Sequence, residues 1–259
     1  MEFDSLKLSI DKKVATIAFS RPEVMNAFNT QQIIDLKEAT EIVKNDSGIR
    51  VLVITGEGKG FTSGADLSEN DATWKDTKDA LMRGYLPSIN NIISMPKIVI
   101  GSINGPAAGI GAAYAMACDL RIASNRTKLG QPEINIGIIP GAGGTQRLTR
   151  LVGEGRAMEM ILTGRMIDAE EACNYGVLNF VFEAEELESK TIEIANTIAE
   201  KSSFAIERAK KSVKAVAEMN LEDGLKLERE MFVECANSED GKEGITAFIE
   251  KRKPNFKGK

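Results

Sequence analysis

The 259-residue chain contains no histidine. This absence excludes serine or cysteine nucleophiles activated by an imidazole, an imidazole general base, and zinc or haem bound through histidine. Any acid–base chemistry must therefore use carboxylates, lysine, tyrosine or cysteine. A chain of this length can bury a full hydrophobic core without disulfides or metals.

Cysteine is scarce as well. Cys118, Cys173 and Cys235 lie far apart, and their spacing is not that of a metal site. We expect reduced thiols that are mostly packed inside the protein, no bound metal, and a reducing compartment. The first five residues show neither the basic nor the apolar region of a signal peptide, so a cytoplasmic location is expected.

Positive charge is not in excess, because 33 Lys and Arg face 38 Asp and Glu, for a formal net charge of −5. A nucleic-acid surface needs clustered basic side chains, so no nucleic-acid partner is expected. The dense basic runs lie at residues 251–253 and 257–259. A solvated tail is the simpler interpretation of these runs, and a binding role is the alternative.

One nearly uncharged stretch, residues 98–118, is long enough to span a bilayer. It is interrupted by Asn104, Gly105 and Pro106, which favour a turn and remove a backbone donor. The pattern therefore predicts a buried strand over residues 98–103, a turn, and a small-residue helix that begins near Gly109. No membrane partner is expected.

Short apolar strands alternate with amphipathic helices up to about residue 183, which is typical of an α/β fold. A helix behind a Thr30 cap is predicted over residues 30–45. The predicted strands cover residues 14–20, 50–55, 98–103, 120–123 and 177–182.

After Glu183 the strand signals end, and the pattern is helical. We therefore divide the chain into an α/β core, residues 1–183, and a helical C-terminal region, residues 184–259. Such a region either covers a neighbouring subunit or packs on its own core, and the pattern alone leaves both open. The predicted helices cover residues 185–200, 205–219, 221–236 and 239–251.

Three glycine-rich turns stand out, at residues 63–66, 105–111 and 140–144. None has the spacing of a Walker phosphate loop or of a dinucleotide-binding G-x-G-x-x-G motif. The second turn opens a helix of small residues and leaves free N–H groups that suit an anion or a developing oxyanion. Tight turns and close helix packing explain the same glycines without any ligand.

Glu133 follows a predicted strand in the segment Gly-Gln-Pro-Glu, residues 130–133, and four isoleucines lie between residues 134 and 139. A carboxyl group in apolar surroundings has a raised pKa, which suits a general base or acid near neutral pH. Glu133 is thus a candidate catalytic carboxylate, with a purely structural role as the alternative.

These and other short motifs follow one another in a fixed order along nearly the whole chain. They are Arg21-Pro22, Asn26-Ala27, Cys118-Asp119, and residues 61–67, 104–111, 130–133, 139–148, 162–164, 169–176 and 251–256. This order resembles the crotonase family, the enoyl-CoA hydratase/isomerase superfamily. The resemblance implies a spiral of ββα units with a helical C-terminal trimerisation region, assembled as a homo-trimer or a dimer of trimers.

The resemblance also implies an acyl-CoA thioester as substrate, with coenzyme A entering as part of it and no separate cofactor. Two backbone N–H groups hold the thioester oxygen in this family, and the matching positions here are Ala65 and Ile110. An enolate oxygen formed between such donors is stabilised more than the ground-state carbonyl.

Coenzyme A contacts of the family match Met25, Ala27 and the segment from Ala65 to Leu67. Asp66 would orient the oxyanion loop, and Lys253 and Lys257 would help with the phosphates from the same or a neighbouring subunit. Hydratases often carry a lysine shortly after the Gly-Ala-Asp motif, but this chain has Ser68.

A larger departure concerns the first of the two glutamates that hydratases of the family carry. The second matches Glu133, but the first position is occupied by Ala113, which cannot transfer a proton. Δ3,Δ2-Enoyl-CoA isomerisation needs only one carboxylate, so we favour that reaction with Glu133 as the base. The residues considered as substitutes for the missing group are Tyr114, Glu69 and Asp71.

The alternatives are an enoyl-CoA hydratase of fatty-acid β-oxidation that uses such a substitute, or a catalytically weakened acyl-CoA binding protein. Asp119 is predicted to be structural, in a turn or cap. Four residues of a helix-like stretch are candidates for the acyl pocket or for core packing: Trp74, Met82, Tyr85 and Leu86.

Overall fold

The computed structural model of the protein describes residues 3–69 and 73–259. The strands are β1 (Leu6–Asp11), β2 (Val14–Phe19), β3 (Val51–Gly56), β4 (Ile98–Ile103), β5 (Ala107–Ala108), β6 (Leu120–Ser124), β7 (Lys128–Gly130), β8 (Met166–Asp168) and β9 (Phe180–Phe182). Short 3-10 turns cover Pro22–Val24 and Pro132–Ile136.

The helices are α1 (Thr30–Asn45), α2 (Thr77–Asp79), α3 (Leu86–Ser94), α4 (Ile110–Ala117), α5 (Gly144–Val152), α6 (Glu154–Thr163), α7 (Ala169–Asn174), α8 (Leu187–Ala199), α9 (Ser203–Ala215), α10 (Leu221–Asn237) and α11 (Glu239–Ile249). A π-helical segment, Ala80–Tyr85, joins α2 to α3.

Six strands form the main sheet in the order β1-β2-β3-β4-β6-β9. The β1–β2 pair is antiparallel, and the other neighbours run parallel. A smaller sheet has the order β5-β7-β8. Single bridges from Phe28 to Ala65 and from Thr62 to Ala107 connect the loops at the ends of the strands. The bridge from Thr62 to Ala107 places two of the three glycine-rich turns, residues 63–66 and 105–111, next to each other.

The core lies on both faces of the main sheet. Successive side chains of a strand point to opposite faces, so β3 sends Leu52 and Ile54 towards α1 and α3, and Val51 and Val53 towards α8. All four side chains are almost completely buried. Each such aliphatic side chain contributes about 1.5–3 kcal/mol to the hydrophobic term.

Most elements agree with the sequence prediction, and two local corrections apply. The strand over residues 98–103 and the small-residue helix from Ile110 are confirmed. The cap of α1 is Asn29, whose side chain accepts a hydrogen bond from Gln32 N at 2.9 Å, so the Thr30 cap is wrong by one residue. The strand predicted from residue 177 begins at Phe180, because Val177 N and Leu178 N donate to Ala172 O in a turn.

The region after residue 183 is helical throughout its ordered elements, as predicted. α8 packs directly on the main sheet, where Leu187 and Ala195 join the buried cluster around Val53 and Ile100. The division of the chain at residue 183 remains a prediction. None of the helices that the structure describes has the length and apolar character that a bilayer crossing needs.

Asp119 is structural, in agreement with the prediction. Its carboxylate accepts a hydrogen bond from Val99 N at 2.9 Å and pairs with Lys210 at 2.6 Å and Lys214 at 2.8 Å, which ties α9 to the sheet. Cys118 is buried, and burial raises the pKa of its thiol to about 12. Cys173 is exposed, so the expectation of packed thiols is wrong there.

Candidate active site

A cavity of about 1150 Å³ lies where the loops of both sheets meet. Its walls come from residues 63–67 and 109–110, from parts of the segments 74–85 and 132–142, and from Phe28, Thr30, Ile33 and Glu69. We call it the central cavity. Five predicted site residues meet on its wall: Ala65, Asp66, Leu67, Ile110 and Glu133.

The N–H group of Ala65 is directed away from the neighbouring strand segment. Phe28 N donates to Gly64 O at 2.8 Å, and Asp66 N donates to Phe28 O at 3.0 Å. Successive N–H groups of an extended chain point to opposite sides, so the Ala65 N–H faces away from Phe28. Among the residues that the structure describes, no acceptor bonds this N–H.

Ile110 begins α4, so its N–H is one of the four that a helix leaves without an intrahelical partner. It has no protein acceptor within residues 3–69 and 73–259. A Cβ added to Gly64 would lie 3.9 Å from Ile110 N, and 2.9 Å from Ala108 O. The two loops are therefore in direct contact, and two free backbone donors lie on neighbouring parts of the cavity wall.

The Glu133 carboxylate packs against the glycine that precedes Ile110. A Cβ added to Gly109 would lie 3.3 Å from Glu133 Oε1, and Gly109 itself has φ of +54° and ψ of −124°, a conformation that favours glycine. Glu133 Oε2 is buried without a hydrogen-bond partner among the described residues. Burial raises the pKa of the Glu133 carboxyl above its ordinary value of 4.5. Such a carboxylate is a stronger base than an exposed one.

The isoleucines near Glu133 are not packed around it in the core, contrary to the expectation from the sequence. Ile136, Ile138 and Ile139 are each more than half exposed and lie along the rim of the central cavity. Gly137 ends the 3-10 turn in a left-handed conformation with φ of +78°, so the chain reverses at the rim instead of entering the core.

Ala113 lies on α4 one turn after Ile110 and is 1% exposed. Residues three or four apart share one side of a helix, so Ala113 follows Gly109 and Ile110 along the side next to Glu133. Its methyl group leaves this position without a proton donor or acceptor.

The proposed substitutes for the missing acid occupy different places. The Tyr114 hydroxyl is buried, lies 2.6 Å from Ser88 Oγ and donates to Tyr85 O, so it points into the core. Glu69 lines the central cavity, and its carboxylate accepts a hydrogen bond from Thr30 N at 2.8 Å. Asp71 lies outside the described residues.

The remaining predicted binding residues do not line the cavity of this chain. Met25 O accepts a hydrogen bond from Ser63 N, which ties it to the segment before Ala65, and Ala27 O accepts one from Arg21 Nη1. Lys253 pairs with Glu200, and Lys257 borders a separate small cavity next to Asp240. Neither lysine lines the central cavity of its own chain.

Of the acyl-pocket candidates, Trp74 and Tyr85 line the central cavity, whereas Met82 and Leu86 do not belong to the described wall. Trp74 Nε1 donates to Thr30 Oγ1 at 3.2 Å. Burial, with the charges of Glu69 and Asp66, raises the pKa of Tyr85 to about 12, so its hydroxyl stays protonated.

Sequence reasoning gave no role to Gln131. This side chain is fully buried, and its Nε2 donates to Gly109 O at 3.2 Å, which supports the turn before Ile110. Gln131 belongs to the motif that contains Glu133, but the motif alone indicates no role for its side chain. Its polar side chain between a strand and a proline is the signal that could have indicated a buried hydrogen bond.

Comparison with known proteins agrees with this geometry. The family model described as enoyl-CoA hydratase/isomerase matches residues 9–259. The short-chain-enoyl-CoA hydratase of Clostridium acetobutylicum is 39% identical over 98% of this chain and 97% of its own length. The crotonyl-CoA hydratase of Syntrophomonas wolfei is 37% identical over 99% of both chains. The crystal structure of an enoyl-CoA hydratase from Bacillus anthracis superposes with a TM-score of 0.94 at 35% identity, covering 99% of this chain and 100% of the other.

The chain belongs to the enoyl-CoA hydratase/isomerase family and has the crotonase fold, so both expectations are confirmed. It is an acyl-CoA enzyme of that family.

Proposed function

We propose that the protein is a Δ3,Δ2-enoyl-CoA isomerase in which Glu133 is the single acid–base group. The observation that carries the proposal is the position of the Glu133 carboxylate beside Gly109, next to two backbone donors that have no protein acceptor among the described residues. The family match of the other carboxylate falls on Ala113, which has no group that transfers a proton. One carboxylate suffices for moving a double bond, whereas water addition as carried out in this family uses two.

In this mechanism Glu133 removes a proton from C2 of a 3-enoyl thioester. The electrons of the C2–H bond form a dienolate, and the thioester oxygen becomes negative. The N–H groups of Ala65 and Ile110 stabilise that charge. The Glu133 carboxyl then returns the proton to C4, so that the double bond moves from C3–C4 to C2–C3 and no atom is gained or lost.

The raised pKa of Glu133 supports this role. A group that first accepts and then donates a proton works best when its pKa lies near the operating pH. Glu133 Oε2 has no hydrogen-bond donor among the described residues to hold it as an anion, so it is available to a substrate proton.

Hydration is the second candidate, since the relatives reported above are named hydratases. Glu69 is the acid that would have to substitute for the missing group, because it lines the same cavity. Its carboxylate is engaged by Thr30 N and Thr30 Oγ1 at the start of α1, which argues against free proton transfer.

The coenzyme A part of the substrate would lie along the backbone near Met25, Ala27 and the segment from Asp66 to Leu67. Lys253 and Lys257 would reach its phosphates from a neighbouring subunit, because neither lines the cavity of its own chain. Ser68 donates to Asp66 Oδ1 at 2.6 Å and offers no positive charge at the position where hydratases often carry lysine.

We also propose a homo-trimer or a dimer of trimers. The helices after residue 200 leave large apolar side chains exposed, among them Val213, Phe232 and Phe248. Large exposed apolar side chains on three successive helices favour a subunit interface over a solvated surface. The same assembly would bring the C-terminal lysines of one chain towards the cavity of the next.

The test compares purified protein on a 3-enoyl-CoA and on the 2-enoyl-CoA of the same chain length, with the products separated as hydroxyacyl or shifted alkene. The proposal predicts double-bond migration as the main activity. Rapid hydration of the 2-enoyl-CoA without migration of the 3-enoyl-CoA would overturn it. Binding of both thioesters without turnover would instead indicate an acyl-CoA binding protein.

The variant Glu69→Gln separates the two candidates. Under the isomerase proposal it leaves double-bond migration unchanged, because Glu69 takes no part in that proton transfer. Loss of hydration in Glu69→Gln, in an enzyme that hydrates well, would establish Glu69 as the second acid.

A further inference from the structure

We propose that Arg21 is a positioning residue that sets the direction of the Ala65 N–H by binding Asp66 and Ala27 O together. This inference rests on the proposed oxyanion role of Ala65. It assigns a function to an arginine that does not border the central cavity within the described residues.

Arg21 makes a fork of contacts with two separate segments. Its Nη1 donates to Ala27 O at 2.5 Å, and Nη1 and Nη2 lie 3.3 and 3.2 Å from Asp66 Oδ2. The side chains of Arg21 and Asp66 are only 20% and 13% exposed. An ion pair so well shielded is held more firmly than one in solvent.

The segment that carries Arg21 is itself rigid. Arg21 N donates to Asn26 Oδ1 at 2.9 Å, and Asn26 N donates to Arg21 O at 2.8 Å. Asn26 Nδ2 donates to Glu57 O and Gly60 O, both at 2.9 Å. Met25 and Asn26 adopt positive φ values of 54° and 55°, a strained conformation that these hydrogen bonds maintain. The backbone around Arg21 is therefore held in place by hydrogen bonds.

The position of Asp66 determines the direction of the preceding peptide units. Gly64 O and Asp66 N are both bonded to Phe28, and the Ala65 N–H lies between them on the other side of the chain. Arg21 restrains the Asp66 side chain, and Ser68 Oγ and N bind its other oxygen at 2.6 and 3.2 Å. Hydrogen bonds from Ser68, with those from Arg21, lower the pKa of the Asp66 carboxyl, so the ion pair persists at neutral pH.

Without Arg21, Asp66 would lose its cationic partner and Ala27 O would lose a donor. The segment from Gly64 to Asp66 would then keep its bonds to Phe28, Thr62 and Ser68, but it would lose its side-chain connection to the segment from Arg21 to Ala27. A donor displaced by a fraction of an ångström binds the developing oxyanion less well, while the ground-state carbonyl is affected little.

The kinetic test uses Arg21→Met and Arg21→Lys, with Arg126→Met as the matched control. Arg126 also pairs with a carboxylate, that of Glu185, but both side chains are largely exposed and far from the cavity wall. We expect Arg21→Met to lower kcat roughly ten-fold or more, within the 10²- to 10³-fold limit for a lost donor. KM should change by less than about three-fold, because ground-state binding is retained.

Arg21→Lys should recover part of the rate, since one ammonium can reach Asp66 but cannot bridge to Ala27 O in the same fork. Arg21→Lys also tests the proposal if Arg21→Met does not fold. An unchanged kcat in both variants would overturn the proposal. A raised KM with unchanged kcat would also overturn it, because Arg21 would then bind the coenzyme A part of the substrate.

A spectroscopic readout separates this inference from the proposed function. Acetoacetyl-CoA forms an enolate that absorbs in the near ultraviolet, and an oxyanion site increases the enolate fraction of the bound thioester. We expect the enolate absorbance to increase on binding to the wild type and to Arg126→Met, and most of this increase to be lost in Arg21→Met. The affinity for butyryl-CoA, which forms no such enolate, should be the same in all three proteins.

This pattern supports the inference even if the wild type does not isomerise 3-enoyl-CoA. Equal enolate absorbance in wild type and Arg21→Met would contradict it even if isomerisation is confirmed.

Discussion

At the scale of single residues, the chemistry depends on a carboxyl group whose burial raises its pKa. Glu133 has one oxygen against Gly109 and one buried without a partner among the described residues, and the loss of solvent outweighs the backbone hydrogen bond of Glu133 that favours the ionised form. Burial destabilises the ionised form of Glu133, and this makes the carboxylate a better base.

The pH dependence of kcat/KM follows from this shift. Only ionised Glu133 can remove the C2 proton, so the rate should fall as pH decreases through the pKa of Glu133. Because burial raises that pKa, the acidic limb should lie above pH 4.5, the ordinary value. The measurement is a pH–rate profile on 3-enoyl-CoA; an acidic limb at or below the ordinary value would contradict the assignment.

The stability of the folded protein should depend on pH in the opposite direction to the rate. A carboxyl whose pKa is raised on folding favours the folded state below its unfolded pKa, and this contribution is lost as pH rises through the folded pKa. Glu133→Gln should therefore have a higher Tm than the wild type at neutral pH, and the difference should shrink as the pH falls from the raised pKa of Glu133 towards the ordinary value of 4.5. Thermal unfolding at several pH values checks this, and a lower Tm for Glu133→Gln at pH 7 would contradict it.

The grouping of Ala65, Ile110 and Glu133 on one cavity wall could be predicted, because each lies in a short local motif of the family, and their roles remain proposals. The contacts of Arg21 and Gln131 could not, because their partners are distant in the chain: Asp66 for Arg21 and Gly109 for Gln131. The exposure of the isoleucines after Glu133 was missed for a different reason. Their hydrophobicity is that of core residues, whereas the left-handed Gly137 turns the chain to the cavity rim.

At the scale of secondary-structure elements, α4 carries both Ile110, one of the two proposed oxyanion donors, and Ala113, the proposed vacant acid position. The strand and helix on either side of the turn at residues 104–106 could be predicted, because the Asn-Gly-Pro signal is strong and local. The strand pairs that assemble the site could not be predicted from the local pattern. The single-residue bridges from Phe28 to Ala65 and from Thr62 to Ala107 join segments of no distinctive periodicity.

Ala113→Glu tests the importance of the vacant position on α4. A carboxyl one turn after Ile110 should raise hydration of 2-enoyl-CoA at least ten-fold, since a general acid–base group contributes roughly 10²- to 10⁴-fold. The Tm should fall, because Ala113 is 1% exposed and a buried carboxyl is costly. Ala113→Gln is the control of equal size. If Ala113→Glu and Ala113→Gln hydrate 2-enoyl-CoA at equal rates, the missing carboxyl group at position 113 is not what limits hydration.

At the scale of the whole molecule, the helices after residue 200 leave an apolar surface that a single chain does not cover. Val213 on α9, Phe232 on α10 and Phe248 on α11 are each more than two-thirds exposed. The sequence pattern left open whether this region packs on its own core or on a neighbour. α8 packs on the sheet of its own chain, whereas α9 to α11 keep exposed apolar positions, and a neighbouring subunit over those positions stays a prediction.

Phe248→Glu should therefore disrupt assembly. A charge in an apolar interface is costly, so sedimentation should shift from a trimer or hexamer towards the 28.1 kDa monomer. Ile10→Glu is the control, because Ile10 is an exposed apolar residue on β1, in the α/β core. A wild-type chain that sediments as a monomer would contradict the proposed assembly.

The central claim is that one carboxylate, Glu133, moves a proton next to the amides of Ala65 and Ile110. In the most direct measurement, the wild type and Glu133→Gln are each incubated with 3-enoyl-CoA in D₂O. NMR then follows the hydrogens at C2 and C4 and the position of the double bond. The wild type should convert the substrate to 2-enoyl-CoA at least about 10²-fold faster than Glu133→Gln. Equal rates in the two proteins, or a wild type that leaves the C2 hydrogens untouched, would contradict the claim.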